Sequence, residues 1–112
     1  MNINLEEYLS NLKSQMRKGT LEFCVLLIIS QEKVYTFDII NKLKQADMVV
    51  VEGTLYPLLS RLRREGLLEY SWKESLSGPP RKYFSLTEKG KSVMKELEKY
   101  WKMFTKSVTN LK

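Results

Sequence analysis

The sequence contains no histidine and a single cysteine, and both features exclude kinds of chemistry. Without histidine the chain lacks the commonest general base and the imidazole ligand of metal sites, and one cysteine cannot form an internal disulfide. It also lacks a glycine-rich phosphate loop, a cluster of metal ligands and a pair of carboxylates at a catalytic spacing. The sequence therefore predicts neither an enzyme nor a protein that holds a cofactor.

Long hydrophobic runs and export signals are missing too. The longest apolar run, FCVLLII, is too short to cross a bilayer. No basic segment followed by an apolar segment opens the chain, so nothing predicts export. Cys24 lies in this apolar run, where a thiol is typical of a core residue rather than of a redox sensor. These features predict a protein of the reducing cytoplasm that does not enter a membrane.

The charge is concentrated in the second half of the chain. The 112 residues are 43% hydrophobic, which predicts one domain, small enough that a second subunit would help to bury its apolar surface. Residues 1–60 carry six Lys and Arg against seven Asp and Glu, whereas residues 61–112 carry thirteen against six. The resulting charges of −1 and +7 favour a polyanionic partner, either nucleic acid or an anionic membrane surface. A solvated helix face would also be basic.

Hydrophobic spacing predicts three helices in the first half. An amphipathic helix covers LEEYLSNLKSQM and ends at Gly19, and Thr20 caps an apolar helix that extends to about residue 31. A buried strand is the alternative for this second segment. A connector, residues 33–35, leads to a third helix, which Thr36 caps and which ends near Ala46. The MVVV segment after it is predicted to be extended, because three β-branched residues follow one another.

The second half predicts a helix, a hairpin and a long last helix. The fourth helix ends at Gly66, and Pro57 predicts an irregular start. The period then changes from 3.6 to 2 residues, which predicts two strands joined by a long polar tip, ESLSGPP. Thr87 caps a last helix of about six turns with a heptad seam, and a seam of this length predicts a partner helix. The seam consists of Met94, Leu97, Trp101, Phe104, Val108 and Leu111.

This order of elements predicts a mainly α-helical fold with a small β-hairpin, a winged helix-turn-helix with terminal dimerisation helices. Residues 1–86 form the predicted DNA-binding domain, and residues 87–112 form a C-terminal dimerisation helix in the same compact unit. The leucine face of the fourth helix packs inward, and its opposite face carries groups that donate to phosphates or base edges. The members of that opposite face are Thr54, Tyr56, Ser60, Arg61 and Arg64.

The hairpin predicts a second contact with DNA. Arg81 and Lys82 follow the tip, where a wing meets a minor groove or the phosphate backbone. An ordinary basic turn is the alternative for the tip, and a solvated helix back is the alternative for the helix, although such a back usually carries Glu and Lys. Arg63 lies near the packing boundary and could be an ion-pair partner on the Glu65 side. Replacing Arg61 by alanine is expected to lower DNA affinity without lowering thermal stability.

Two stretches, EGTLYPLLSRLRREGLL and PRKYFSLTEKG, resemble the PadR family of bacterial transcriptional regulators. With the flanking helices, the resemblance covers essentially the whole chain, and the chain is similar to the short-tailed branch with one C-terminal helix. The resemblance implies a homodimeric repressor of its own or a neighbouring promoter that binds a near-palindromic operator on double-stranded DNA. It also implies DNA-facing positions at Tyr35, Thr54, Tyr56, Arg61 and Lys82. A winged helix that binds only protein is the alternative, against which the basic second half argues.

The resemblance also implies a dimer in which the first and last helices cross between subunits. Pro79 and Pro80 depart from the glycine and arginine often found before RKY, which implies a stiffer wing with one positive charge fewer. Some relatives bind small aromatic molecules, and Trp101 matches a tryptophan that stacks such ligands; packing at a heptad position is the alternative. The other wall residues would be Met16, Leu12 and Phe104. The implied dimer interface contains Leu5, Tyr8, Leu12, Met94, Leu97, Trp101, Phe104 and Val108.

Overall fold

The computed structural model describes residues 4–112, which form four helices and a three-stranded antiparallel sheet. The first three residues of the predicted DNA-binding domain lie outside this range. The strand order is β1–β3–β2. The predicted winged helix-turn-helix is confirmed. In chain order the elements are α1 (Leu5–Gln31), β1 (Val34–Tyr35), α2 (Thr36–Gln45), α3 (Glu52–Arg64), β2 (Leu68–Ser75), β3 (Gly78–Leu86) and α4 (Glu88–Asn110).

One apolar core joins the first three helices to the sheet. From α3 it receives Leu55, Leu59 and Leu62, each of which is at most 1% exposed, with Leu58 partly buried beside them. The predicted inward packing of the leucine face is therefore confirmed. Because one side of α3 is buried along its whole length, its polar side faces away from the body of the protein. The partners from α1 and α2 in this core are Val25, Leu26, Ile29, Ile39 and Leu43.

The N-terminal segment forms one helix, and the predicted break at Gly19 and Thr20 is wrong. The helix α1 runs without interruption over 27 residues, which also excludes the alternative of a buried strand. The Thr20 hydroxyl donates to the carbonyl oxygens of Met16 (3.4 Å) and Arg17 (3.1 Å), so it is satisfied inside the helix. A glycine inside a helix costs only about 1 kcal/mol, which burial of the C-terminal half of α1 outweighs.

A short strand, Val34–Tyr35, lies within residues 33–35, where the sequence predicted a connector. Val34 pairs with Phe84 and Tyr35 pairs with Tyr83, so β1 lies on the far side of β3 from β2. The sheet therefore has three strands rather than the predicted two. A strand of two residues shows no alternation of its own, and it forms here because β3 offers an unpaired edge to it.

The wing is longer than the sequence predicted. Strands β2 and β3 pair almost to their ends, and the turn between them consists of Leu76 and Ser77. The predicted polar tip is therefore mostly strand. Pro79 and Pro80 fit into β3 because they lie beyond the short segment that pairs with β1 and opposite the register shift between Lys73 and Ser75, where the ladder with β2 is irregular.

The starts of α2 and α3 differ in detail from the prediction. Tyr35, not Thr36, is the N-cap of α2, and its backbone N–H donates to the Asp38 carboxylate (3.3 Å). The MVVV segment is non-helical, as predicted, and α3 then begins at Glu52. The predicted irregular start is wrong, because the helix continues through Pro57, whose ring lies on the exposed side.

The corner between α3 and the wing also anchors the start of α4. Gly66 adopts a left-handed backbone conformation (φ +81°), which confirms the predicted end of α3. The Thr87 hydroxyl donates to the Gly66 carbonyl (2.6 Å) and accepts from the Gly90 N–H (3.0 Å), which confirms the predicted cap. The Lys89 ammonium donates to the Glu65 carbonyl (2.9 Å). These bonds fasten the N-terminus of α4 to the C-terminus of α3.

Candidate nucleic-acid interface

A cleft of about 510 Å³ lies between the polar side of α3 and the wing. Four of the predicted DNA-binding residues meet in it. Tyr56, Ser60 and Arg64 come from exposed positions of α3, and half-buried Lys82 comes from β3. The complete lining is Thr36, Tyr56, Leu59, Ser60, Arg63, Arg64, Trp72, Lys82 and Phe84.

The cleft is electrostatically positive. Its lining residues include three cationic side chains and no carboxylate. Two of the cations are held by the same aromatic ring, because the Arg63 guanidinium carbon and the Lys82 ammonium each lie 4.2 Å from the centroid of Tyr70. Such cation–π contacts restrain long side chains without neutralising their charge. The cleft therefore offers positioned cations and hydroxyl donors, the groups that bind phosphate oxygens.

Arg63 belongs to this cleft, although the sequence predicted a position near the packing boundary and an ion pair as one possible role. Tyr56, Ser60 and Arg63 are spaced by four and three residues, so they share one side of α3. That spacing was visible in the sequence. It did not indicate on which side of α3 the wing would lie. Arg63 faces the cleft because the wing packs on its side of the helix.

The wing presents the two basic residues that were predicted to bind DNA, Arg81 and Lys82, to opposite sides. Trp72 pairs with Lys82 in the sheet register, so both lie on the side that faces α3, whereas Arg81 points the other way. On that other side the Arg81 guanidinium carbon lies 4.6 Å from the centroid of Tyr35, which in turn contacts the ring of Tyr83 at 5.4 Å. Tyr35 and Arg81 therefore form a second surface, separated from the cleft by the sheet.

Arg61 and Thr54 lie on a third surface, where α3 faces α1. The Arg61 guanidinium donates to the Glu22 carboxylate on α1 (2.9 Å) and to Glu65 on its own helix (3.2 Å). The hydrogen bonds to Glu22 and Glu65 raise the Arg61 pKa above its ordinary value, so the group stays charged. Exposed Thr54 lines a shallow pocket of about 190 Å³ between α1 and the segment before α3. The eight residues predicted to bind DNA are thus distributed over three surfaces.

A mainly apolar cavity of about 500 Å³, with four aromatic residues among the nine that line it, lies between α1 and α4. Three of the four residues predicted to bind a ligand, Met16, Trp101 and Phe104, line it, whereas Leu12 lies about one turn further along α1. The rings of Phe23 and Trp101 are 6.1 Å apart. The full lining is Gln15, Met16, Gly19, Thr20, Phe23, Leu97, Tyr100, Trp101 and Phe104.

The N-terminal half of α1 and the C-terminal half of α4, here called their outer halves, expose many apolar side chains. The heptad seam of α4 is divided: Met94 and Leu97 pack against the core of their own chain, but the later members are exposed. Exposed side chains include Met16 at 74% and Leu111 at 86%. The residues of this apolar surface are Leu5, Tyr8, Leu9, Leu12, Met16, Tyr100, Trp101, Met103, Phe104, Val108 and Leu111.

Other chemical sites are not indicated in the part of the chain that the structure describes. Within residues 4–112 no three His, Cys, Asp or Glu side chains are grouped to hold a metal ion. No helix of that range has the length and apolar character to cross a membrane. Burial raises the pKa of the half-buried Cys24 thiol, so at neutral pH this group stays protonated and is a poor nucleophile.

Comparison with known proteins agrees with this geometry. Residues 25–96 match the family model of the PadR-like transcriptional regulators. A PadR-like transcription factor from Bacteroides fragilis is 55% identical and aligns with 91% of this chain and 99% of its own, with a TM-score of 0.76. A PadR-like transcriptional regulator from Bacillus cereus is 45% identical over 87% of this chain and 95% of its own, with a TM-score of 0.79.

A third solved structure, a PadR family transcriptional regulator from Eggerthella lenta, is 31% identical over 98% of this chain and 93% of its own, with a TM-score of 0.83. The matched region contains the whole of α3 and the wing, which are the elements that form the cleft. The resemblance that the sequence suggested is confirmed. The chain belongs to the PadR-like family, whose members are transcriptional regulators rather than enzymes.

Proposed function

We propose that this protein is a cytoplasmic homodimer that binds a near-palindromic operator on double-stranded DNA and represses its own or a neighbouring promoter. The observation that carries this proposal is the cationic cleft between α3 and the wing. A B-DNA major groove is about 12 Å wide and admits one α-helix, so α3 enters it with its polar side toward the bases. The wing then lies along the adjacent backbone or minor groove.

Each cleft residue has a chemical role in this arrangement. Arg64, near the C-terminus of α3, donates two parallel hydrogen bonds to a phosphate or to a guanine edge. Tyr56 and Ser60 each donate one hydrogen bond through a hydroxyl group, from the same side of the helix. Lys82 supplies a point charge from the wing. Tyr35 and Arg81, on the other side of the sheet, contact the backbone of the flanking strand in the same pose.

The apolar surface on α1 and α4 supports the homodimer. Covering exposed heptad positions such as Trp101, Phe104 and Val108 with a second copy would stabilise a dimer, and Trp101 and Phe104 line the same cavity as Met16 of α1. A two-fold axis through this surface gives each dimer two copies of α3. An operator with half-sites about 34–36 Å apart accommodates both helices on one face of the duplex.

The cavity between α1 and α4 supports a small aromatic effector. Trp101 and Phe104 offer flat apolar surfaces, and the volume of about 500 Å³ is within the range of drug-sized ligand sites. Phe23, which lines the cavity, is adjacent on α1 to Glu22, which contacts α3. A ligand that moves α1 would therefore shift the two α3 helices and weaken operator binding by its differential affinity for the two states.

A winged helix that binds only proteins is the alternative function. The two functions differ in their dependence on salt, because DNA binding through phosphates releases counterions and weakens steeply as salt rises. Salt-sensitive retention of a duplex is expected of the regulator and not of the protein-binding module.

The cleft is tested by replacing Arg64 and Lys82 together with glutamine. We expect the affinity for a labelled duplex from the upstream region of the gene to fall at least about tenfold at low salt. The slope of log K against log salt should become shallower by about 1.8, because two phosphate contacts are lost at about 0.9 each. Fluorescence anisotropy measures both quantities, and the melting temperature should stay unchanged because both side chains are outside the core.

The matched control replaces Lys102 and Lys106, two exposed lysines of α4, with glutamine. It removes the same charge at a distance from the cleft. The assignment of the cleft is wrong if the control weakens DNA binding as much as the cleft variant does, since the effect would then depend on net charge alone.

A further inference from the structure

The ion pair between Glu22 and Arg61 joins the first helix to the helix that lines the cleft. The closest atoms are the Arg61 Nη2 and the Glu22 Oε2 at 2.9 Å, and the Arg61 Nη1 also lies 3.2 Å from Glu65. One guanidinium therefore faces two carboxylates. Glu65 moves with its own helix, so Glu22 is the partner that fixes Arg61 relative to the rest of the protein.

Arg61 has a backbone position from which it can reach DNA. It follows exposed Pro57 by four residues and precedes exposed Arg64 by three, so it lies beside both, at the edge of the polar side of α3 that faces α1. Its guanidinium, however, is drawn sideways toward α1 by Glu22. In this orientation the guanidinium contacts α1, whereas Arg64 lines the cleft.

The ion pair between Arg61 and Glu22 is weak enough for a DNA phosphate to replace Glu22 as the partner of Arg61. The side chains of Arg61 and Glu22 are 41% and 38% exposed, and solvent screens ion pairs in such positions, so they contribute little to stability. A DNA phosphate accepts the same pair of parallel hydrogen bonds from a guanidinium as a carboxylate does. Glu22 and a phosphate are therefore competitors for one cation.

We infer that Glu22 is a positioning residue that holds Arg61 away from DNA and thereby lowers the affinity of the protein for any duplex. The inference rests on the proposed DNA binding. When the protein meets DNA, Arg61 gains a phosphate contact only by giving up its carboxylate partner, so the net gain is small. Arg61 therefore adds little to non-specific binding, which depends on phosphate contacts alone. Specificity for the operator then depends on the cleft.

The test measures duplex binding by fluorescence anisotropy between 50 and about 200 mM salt for the wild type, Glu22→Gln, Arg61→Gln and the double variant. Glu22→Gln should bind a scrambled duplex about three- to tenfold more tightly at the lowest salt. Its slope of log K against log salt should steepen by about 0.9, the value for one added phosphate contact. Arg61→Gln alone should change the slope by much less, and the double variant should lose the gain.

The double variant separates the proposed competition from simple removal of a negative charge. A gain from Glu22→Gln that persists in the Arg61→Gln background would be a long-range charge effect and would overturn the inference. Glu32→Gln is the matched control, because it removes a carboxylate that also contacts a cation, Lys42, at 3.7 Å. It should leave the slope unchanged.

The remaining outcomes are also decisive. An unchanged or weakened affinity of folded Glu22→Gln, with wild-type binding still salt-dependent, overturns this inference and leaves the proposed function standing. Salt-independent binding or no binding by the wild type overturns the proposed function, and the role of Glu22 with it. Circular dichroism establishes that each glutamine variant is folded before its affinity is interpreted.

Discussion

Among the five glycines, Gly90 has the least room for a side chain. It is buried in the first turn of α4, and a Cβ atom added there would overlap the carbonyl oxygen of Leu67. This close approach lets Thr87 reach both Gly66 and Gly90 with one hydroxyl. The absence of a side chain at Gly90 therefore holds the start of α4 against the end of α3.

Replacing Gly90 by alanine should lower the free energy of unfolding by about 1–3 kcal/mol, the usual cost of overpacking. The backbone of Leu67 cannot move away without disturbing the first pair of the wing, Leu68 with Leu86. Chemical denaturation measures the change. Gly53→Ala is the matched control: nothing lies within 4 Å of its added Cβ, so it should be neutral or stabilising by up to about 1 kcal/mol. Equal stability of the two variants would contradict the close contact.

Single side chains were predicted from sequence to different extents. The spacing of the leucines identified the inward side of α3, since burial of a helix face depends on periodicity alone. The leucine spacing did not predict which elements lie beside the polar side of α3. Arg63 faces the wing and Arg61 faces Glu22, because β2 and α1 lie on opposite flanks of the helix. The sequence also predicted that Arg61→Ala would not lower thermal stability. That prediction did not include the ion pair with Glu22, a contact between α1 and α3 that this change removes.

Whole elements were predicted best where local chemistry determines them. The caps of α4 and the end of α3 involve Thr87 and Gly66, and both depend on residues a few positions away. The continuous α1 and the strand β1 were missed because distant parts of the chain stabilise them. Gly19 and Thr20 resemble a helix boundary, but packing of the following turns into the core keeps the helix intact.

The pair of elements α1 and α4 should bind flat aromatic molecules between them. Titration with a planar dye should quench the fluorescence of Trp101, which lines the cavity beside Phe23. A Trp72→Phe background removes the signal of the tryptophan on the wing. In that background the quenching should saturate, and the same dye should weaken duplex binding.

The control for this cavity is a Trp101→Phe variant studied by calorimetry. It keeps an aromatic ring in the wall, so reduced but measurable dye binding is expected. Wild-type affinity of a Trp101→Ala variant for the dye would show that the dye binds elsewhere and would remove the cavity from the proposed regulation.

At the scale of the whole molecule, one chain leaves much of its apolar surface uncovered. The inner halves of α1 and α4 complete the core, whereas the outer halves expose the residues that the sequence predicted for a dimer. The heptad pattern identified this surface but not its division, because periodicity does not reveal that the first positions, Met94 and Leu97, pack within the chain. The homodimer stays a prediction, and the paired binding of two clefts to one duplex depends on it.

The most direct measurement is sedimentation equilibrium of the protein, alone and with a labelled upstream duplex, for the wild type and for Val108→Glu. We predict a wild-type dimer at micromolar concentration and two chains on each duplex. Val108→Glu should sediment as a folded monomer with strongly reduced affinity, because a charge in the apolar surface opposes association and separates the two clefts. A wild-type monomer that binds the duplex as one chain, with an affinity that Val108→Glu does not change, would contradict the proposed regulator.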